Sequence, residues 1–351
     1  MEMLLIRLRN KIELFSALLM VTALAGCGHS NTEVRSDIYI RRIKNAIETG
    51  KDLDKRDRRG MTPLFLAVKR DLADYASKLL EMGASIYLDD GCGKESALHI
   101  AAHNNSAACA RILIDRGAVV DRKLAQGFTP LHTACISGAY EVADLLIRNG
   151  ADVNIKNMTG ATPVFSAVIS DNADIIRLLI DSVADLNAKT NSGTTPLSMA
   201  AVNNSRKAAR LLIANGADVH RKSGWGLRNT SILMQTAYDD AAEIAQLLID
   251  KNIDMDARDE NGSTALIYAV QSGAEKLAAL LAERGADINA ADNRGVTPLM
   301  IAAYDNSVKL VELLLKNGAD KKTADQNGKT AETYAYEKGA LESVSLLSDK
   351  Q

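Results

Sequence analysis

Across 351 residues, 47% hydrophobic and 25% charged, the chain is long enough for two or three ordinary domains and apolar enough to bury a large core. A formal net charge of -2 leaves no basic footprint on the scale of a phosphate tract, which excludes nucleic acid as a partner. Only 4% of residues are aromatic, and this favours helices packed through small and straight aliphatic side chains over a β-sandwich core.

The first segment reads as an export signal. Arg7, Arg9 and Lys11 precede an uncharged run, LFSALLMVTALAG, from Leu14 to Gly26; it is too short for an ordinary membrane span and suits the apolar core of a signal peptide. The run ends in Leu24, Ala25, Gly26 and Cys27, which resembles the lipobox of bacterial lipoproteins. That resemblance implies that the Cys27 thiol takes a diacylglyceryl thioether and becomes the first residue of the mature protein. The expected layout is a signal peptide over residues 1–26, a lipidated linker over 27–35 and a repeat solenoid over 36–351. Gly28 stands where an aspartate would mark inner-membrane retention in the sorting rule of enteric bacteria, so the resemblance points to the outer membrane, facing the periplasm. The segment from Gly28 to Arg35 reaches at most about 26 Å when extended, which keeps the repeat region near a membrane surface.

From Ser36 to Ser348 the chain repeats with a period of 33 residues. TPLFLAV from Thr62, SALHIAA from Ser96, TPLHTAC from Thr129, TPVFSAV from Thr162, TPLSMAA from Thr195, SILMQTA from Ser231, TALIYAV from Thr264, TPLMIAA from Thr297 and TAETYAY from Thr330 mark the units. Between them Leu79, Leu113, Leu146, Leu179, Leu212, Leu248, Leu281 and Leu314 each stand four residues before a terminator, usually Gly-Ala. Thr before Pro caps a short helix whose first turn tolerates proline. A turn follows, then a second helix carrying the leucine, which stops at a glycine suited to a left-handed C-cap. An extended finger such as ADVNIKNMTG leads to the next mark. Two short antiparallel helices cannot bury their apolar faces alone, so each unit must stack on the next in an elongated solenoid.

With TPLH at Thr129 to His132 and GADVN at Gly150 to Asn154, the pattern resembles the ankyrin repeat. The expected fold is therefore an all-α repeat solenoid of about eight full repeats with terminal caps, each repeat a helix-turn-helix followed by a β-hairpin finger. SDIYIRRIKNAIETG at residues 36–50 supplies one cap; Glu332, in place of the usual leucine, and the polar SDKQ end supply the other. The family uses the TPLH histidine to bond backbone between neighbouring repeats, which implies that role for His99 and His132.

No constellation for chemistry emerges. His99 and His103 are spaced i, i+4 on a helix, but no third metal ligand has matching spacing. Gly328-Lys329-Thr330 is similar to the end of a phosphate-binding loop, yet Thr323 stands where that motif needs glycine. The chain is read as no enzyme, with no cofactor and no metal. Besides Cys27 there are Cys92, Cys109 and Cys135. Cys109 and Cys135 hold helix positions that are apolar elsewhere and read as buried thiols, with a disulfide between them left open; Cys92 sits in a finger and is the candidate exposed thiol.

Family partners usually dock on the concave face formed by finger tips and first helices. The exposed first-helix position reads Lys69, His103, Ile136, Ile169, Val202, Tyr238, Gln271 and Tyr304, apolar from the third repeat through the sixth. Such a stripe marks an interface unless short helices lean together and half-bury it. Phe128, Met158 and Trp225 sit at finger tips beside it and give it aromatic and methionine character. A basic ladder, Arg56, Lys123, Lys156, Lys189, Lys222 and Arg258, either braces the fingers or faces an acidic partner. At SGWGLRNTSIL the period slips: Leu197 and Leu233 are 36 positions apart. The three extra residues lengthen the finger carrying Trp225 and Arg228, a contact element unless the repeat is decaying, and SIL in place of TPL loosens the following cap.

The reading is a non-catalytic lipoprotein that binds one protein on its concave face through Phe128, Ile136, Met158, Ile169, Val202, Trp225, Arg228, Tyr238 and Tyr304. A lipid-anchored ankyrin protein resembles immunity proteins that occlude a periplasm-acting toxin, such as a phospholipase effector of type VI secretion. The alternatives are a periplasmic scaffold or stress-protection factor with a resident partner, and a redox or accessory factor using Cys92.

Overall fold

The computed structural model describes residues 34–89, 95–222 and 229–348, with backbone alone for 34–37 and for Tyr238. The readings on Cys27, Cys92, Trp225 and Arg228 lie outside the described residues. The chain forms two compact units, Met1–Met158 and Thr159–Gln351. In the first, α1 (Val34–Thr49) precedes three helix pairs: α2 (Pro63–Val68) with α3 (Ala73–Glu81), α4 (Ala97–Asn104) with α5 (Ala107–Asp115), and α6 (Pro130–Ser137) with α7 (Tyr140–Arg148). The second holds α8 (Pro163–Ile169) with α9 (Ala173–Asp181), α10 (Pro196–Asn203) with α11 (Arg206–Ala214), and α12 (Ile232–Gln235), running on as a 3-10 turn over Thr236–Asp239, with α13 (Ala242–Ile249). Its last pairs are α14 (Ala265–Ser272) with α15 (Glu275–Glu283), α16 (Pro298–Tyr304) with α17 (Val308–Lys316), and α18 (Ala331–Lys338) with α19 (Leu341–Leu347).

The marks start the first, inner helix of each pair. Thr62, Thr129, Thr195, Ser231, Thr264, Thr297 and Thr330 each accept a bond from the N–H three residues on, and Pro63, Pro130, Pro163, Pro196 and Pro298 fill the first turn. All eight periodic leucines are fully buried, and Leu347 continues the row at 3% exposure. Within a unit, inner helices pack on inner and outer on outer, so the core is a seam shared by successive repeats.

Outer helices are capped from the preceding repeat. In the loop after an inner helix, Asp71, Asn105, Asp171, Asp240 and Asn306 take positive φ. Their side-chain oxygens accept from the third N–H of the next outer helix: Cys109 and Ala208 at 2.8 Å, Val142 at 3.3 Å, Leu277 at 2.8 Å and Ser343 at 3.2 Å. These five outer helices need this help, because Ser106, Ala139, Ser205, Ala274 and Ala340 at their own caps make no side-chain bond.

The fingers double back as turns rather than as β-hairpins, with no strand among the described residues and isolated bridges such as Asp89 with Ser96. A carboxylate replaces the strand ladder. Asp57, Asp259, Asp292 and Asp325 each accept from the N–H groups two and four residues on, at 2.8 to 3.0 Å, which closes the tip. Successive fingers join through Asn191 N–H to the Thr159 carbonyl at 2.8 Å and Gln326 N–H to the Arg294 carbonyl at 3.0 Å. Gly160, at φ +80°, lies where a Cβ would come within 2.9 Å of the Asn191 nitrogen, so this tip admits only glycine.

The sixth repeat is where the pattern bends. Ser231 keeps the cap that the serine was expected to loosen, accepting from Met234 N–H at 3.3 Å. The disturbance comes one turn later: the Thr236 hydroxyl donates to the Leu233 carbonyl at 2.6 Å, competing for a helix acceptor, and the backbone tightens to 3-10. Buried Gln235 donates to Thr230 Oγ1 at 3.2 Å while its Oε1 has no partner among the described residues.

One outer helix ends against the rule. Val183 stands at φ +63° where the other repeats place Gly83, Gly117, Gly150, Gly216, Gly285 and Gly318, and it is 83% exposed. A β-branched residue in the left-handed region is strained, and a side chain this exposed recovers little by burial. Val183→Gly should therefore raise the unfolding free energy by about 1 kcal/mol, measured by urea denaturation; unchanged or lower stability would show that the loop carries no such strain.

Candidate protein-binding surface

The two units present their inner faces separately. In the first, exposed Lys69 is followed by half-buried His103 and Ile136. Met158 stands out at 70% exposure while its backbone N–H is held by the Gln126 carbonyl at 3.0 Å. Half-buried Phe128 turns its ring onto its own helix, edge-on to His132 at 5.4 Å, and its carbonyl accepts from His99. Met158 is thus an apolar side chain presented at a finger tip, and Ile136 a half-covered one on the inner helix.

In the second unit Ile169 and Gln271 are half-buried. Val202 is buried at 6% and is corrected from an exposed stripe position to a core one. The reason is local: α10 packs against both α12 and the 3-10 turn that follows, and this neighbour covers the end of α10. The side chain of Tyr238 lies outside the described residues. Tyr304 is 42% exposed and belongs to a cluster the sequence reading missed. Its ring meets Tyr334 edge-on at 6.2 Å, and Lys338 Nζ lies 4.7 Å above it and 3.4 Å from its hydroxyl. Nearby, Lys329 pairs with Glu337 at 2.7 Å and lies over the Tyr334 ring. Tyr336 is exposed at 74%. The signal was available in composition, since three of only nine tyrosines fall in the last two inner helices.

Four members of the basic ladder brace the fingers. Lys123 Nζ donates to the Lys156 carbonyl at 3.2 Å, Lys222 Nζ to the Arg258 carbonyl at 3.4 Å and Arg258 to the Ala291 carbonyl at 2.6 Å, each joining one finger to the next. Arg56 instead pairs with Asp89 at 3.0 Å.

His99 and the cysteines are structural. Facing the Phe128 carbonyl, which only accepts, His99 Nε2 carries the proton; Nδ1 then accepts from the Ser96 hydroxyl at 2.8 Å. Both nitrogens are thereby occupied and neither is open to a metal. Cys109 and Cys135 are buried free thiols. Burial, with Asp71 beside it, pushes Cys109 up to about 12, and burial alone pushes Cys135 up as well, so neither is a nucleophile.

Comparison with known proteins identifies the repeat family. The chain matches the family model for ankyrin repeats in three copies over residues 86–157, 146–223 and 223–292, and the model for ankyrin repeats in many copies over 280–335. It belongs to the ankyrin-repeat family. The ankyrin repeat domain of Bcl-3, a member of the IkappaB protein family, superposes with a TM-score of 0.54 at 27% identity, covering 63% of this chain and 99% of that one. Among curated relatives, mouse ankyrin repeat and SOCS box protein 9 is 31% identical over 29% of this chain and 37% of its own length. Mouse inversin is 38% identical over 22% of this chain and 7% of its own length. In Xenopus tropicalis, neurogenic locus notch homolog protein 1 is 34% identical over 32% of this chain and 5% of its own length. The chain thus spans far less than two thirds of these relatives.

Burial lowers His99 from 6.5 to about 4. The folded state resists the proton that the unfolded chain takes up, so this contribution is complete above pH 6.5 and lost as pH falls from there through 4. Between pH 7 and pH 5 the unfolding free energy should fall by about 2 kcal/mol more for the native chain than for His99→Gln. Equal slopes would show that His99 is not held neutral.

Proposed function

We propose that the chain is a non-catalytic, lipid-anchored binding protein of the bacterial envelope, and that its partner is a periplasm-acting toxin whose active site it occludes. The observation that carries the binding role is the apolar character of inner-face side chains that a solvated surface would make polar: Met158 and Tyr304 exposed, Ile136 and Ile169 half-exposed. Ankyrin stacks suit protein–protein binding, and the buried His99, Cys109 and Cys135 serve the fold rather than a surface. The envelope placement is supported by the run from Leu14 through Cys27. An anchored inhibitor would stand at the surface where a phospholipase acts.

Two measurements test the reading. Radiolabelled palmitate should enter the native chain and not Cys27→Ala; equal labelling would overturn the anchor. Co-expression with a periplasm-directed phospholipase effector, taken from the genes beside this one, should leave cells growing. Met158→Asp with Tyr304→Asp should abolish that protection while leaving thermal unfolding unchanged. Protection that survives both changes would remove the inner faces from the mechanism.

A further inference from the structure

The first helix has one face that the fold does not use. In α1, Ile43 and Ala46 are buried against the following pair, while the opposite side exposes Ile38 at 62% together with Arg41, Lys44, Asn45 and Glu48. Ile38, Arg41, Asn45 and Glu48 fall at i, i+3, i+7 and i+10 and form one stripe. The cations of this helix divide by role. Arg42 is committed to the fold, paired with Asp57 at 3.2 Å and bonded to the carbonyls of Met61 and Lys55. Arg41 and Lys44, on the outer side, have no partner among the described residues.

The preceding sequence supplies the occupant. On the anchor reading proposed above, on which this inference rests, six residues separate Cys27 from the start of α1 at Val34, a reach of about 25 Å at most. A helix on so short a tether samples the headgroup layer at high effective concentration, so a weak contact suffices. Two cations with no partner among the described residues complement anionic phosphates, each adding about fivefold to partition, and an exposed isoleucine beside them suits the interface.

We propose that the outer face of α1 rests on anionic phospholipid, with Arg41 and Lys44 on headgroup phosphates and Ile38 directed between headgroups. This contact fixes how the first unit stands on the membrane, where the anchor alone would let it tumble.

The test uses the full lipidated chain floated on vesicles of phosphatidylethanolamine with phosphatidylglycerol, or of phosphatidylcholine alone. A membrane-impermeant acetylating reagent reports each lysine by mass spectrometry, with exposed Lys69 and Lys251 as references. Lys44 should react about tenfold more slowly on the anionic vesicles than on the neutral ones, the references should not change, and Arg41→Glu should return Lys44 most of the way to its neutral-vesicle rate. A chain that floats while Lys44 stays as reactive as on neutral vesicles overturns this proposal and leaves the anchor standing. A chain that floats with neither vesicle overturns the anchor and this contact with it. Protection that grows with protein concentration and ignores lipid charge identifies a second copy of the chain as the occupant and also overturns it.

Discussion

A short carboxylate or carboxamide on a left-handed loop residue, bonded to a backbone N–H in the next repeat, is the contact on which the rest of each stack depends. Outer helices of seven to nine residues are too short to hold themselves in water, and eight of the nine described make no side-chain bond at their own N-caps. Asp71, Asn105, Asp171, Asp240 and Asn306 supply the missing acceptor from one repeat earlier. A helix is therefore complete only when its neighbour is present, which makes repeat stability a nearest-neighbour property.

The finger tips obey the same logic with different groups. The tip aspartates organise their own turns, while lysine and arginine side chains and backbone N–H groups reach the carbonyls of the adjoining finger. That close approach is why a glycine such as Gly160 occupies a tip, and why Lys123, Lys222 and Arg258 of the basic ladder serve the scaffold.

Much of this was legible in the sequence because it repeats. The Thr-Pro starts, the leucine seam and the glycine stops each combine one residue type with one backbone requirement, and the helices and buried Leu146 or Leu281 follow from them. The inter-repeat caps were not read, since a loop aspartate looks the same whether it bonds locally or 37 residues away. The binding surface was legible only in outline. Exposure at a fixed repeat position depends on how the next inner segment leans, and the 3-10 turn after α12 changes the outcome for Val202. The cluster of Tyr304, Tyr334 and Lys338 joins two consecutive repeats and is invisible to a scan that compares one position at a time.

Replacing Asp171 separates the cap from the backbone it rides on. At φ +46° glycine is the more comfortable residue, so a purely conformational loop would gain from Asp171→Gly. The cap predicts the reverse: Asp171→Gly should lower the unfolding free energy by about 1 kcal/mol and speed hydrogen exchange at the Ala208 amide, with Asp171→Asn close to the native chain. A glycine variant as stable as the native protein, with Ala208 equally protected, would contradict the claim that these stacks are held by caps passed from one repeat to the next.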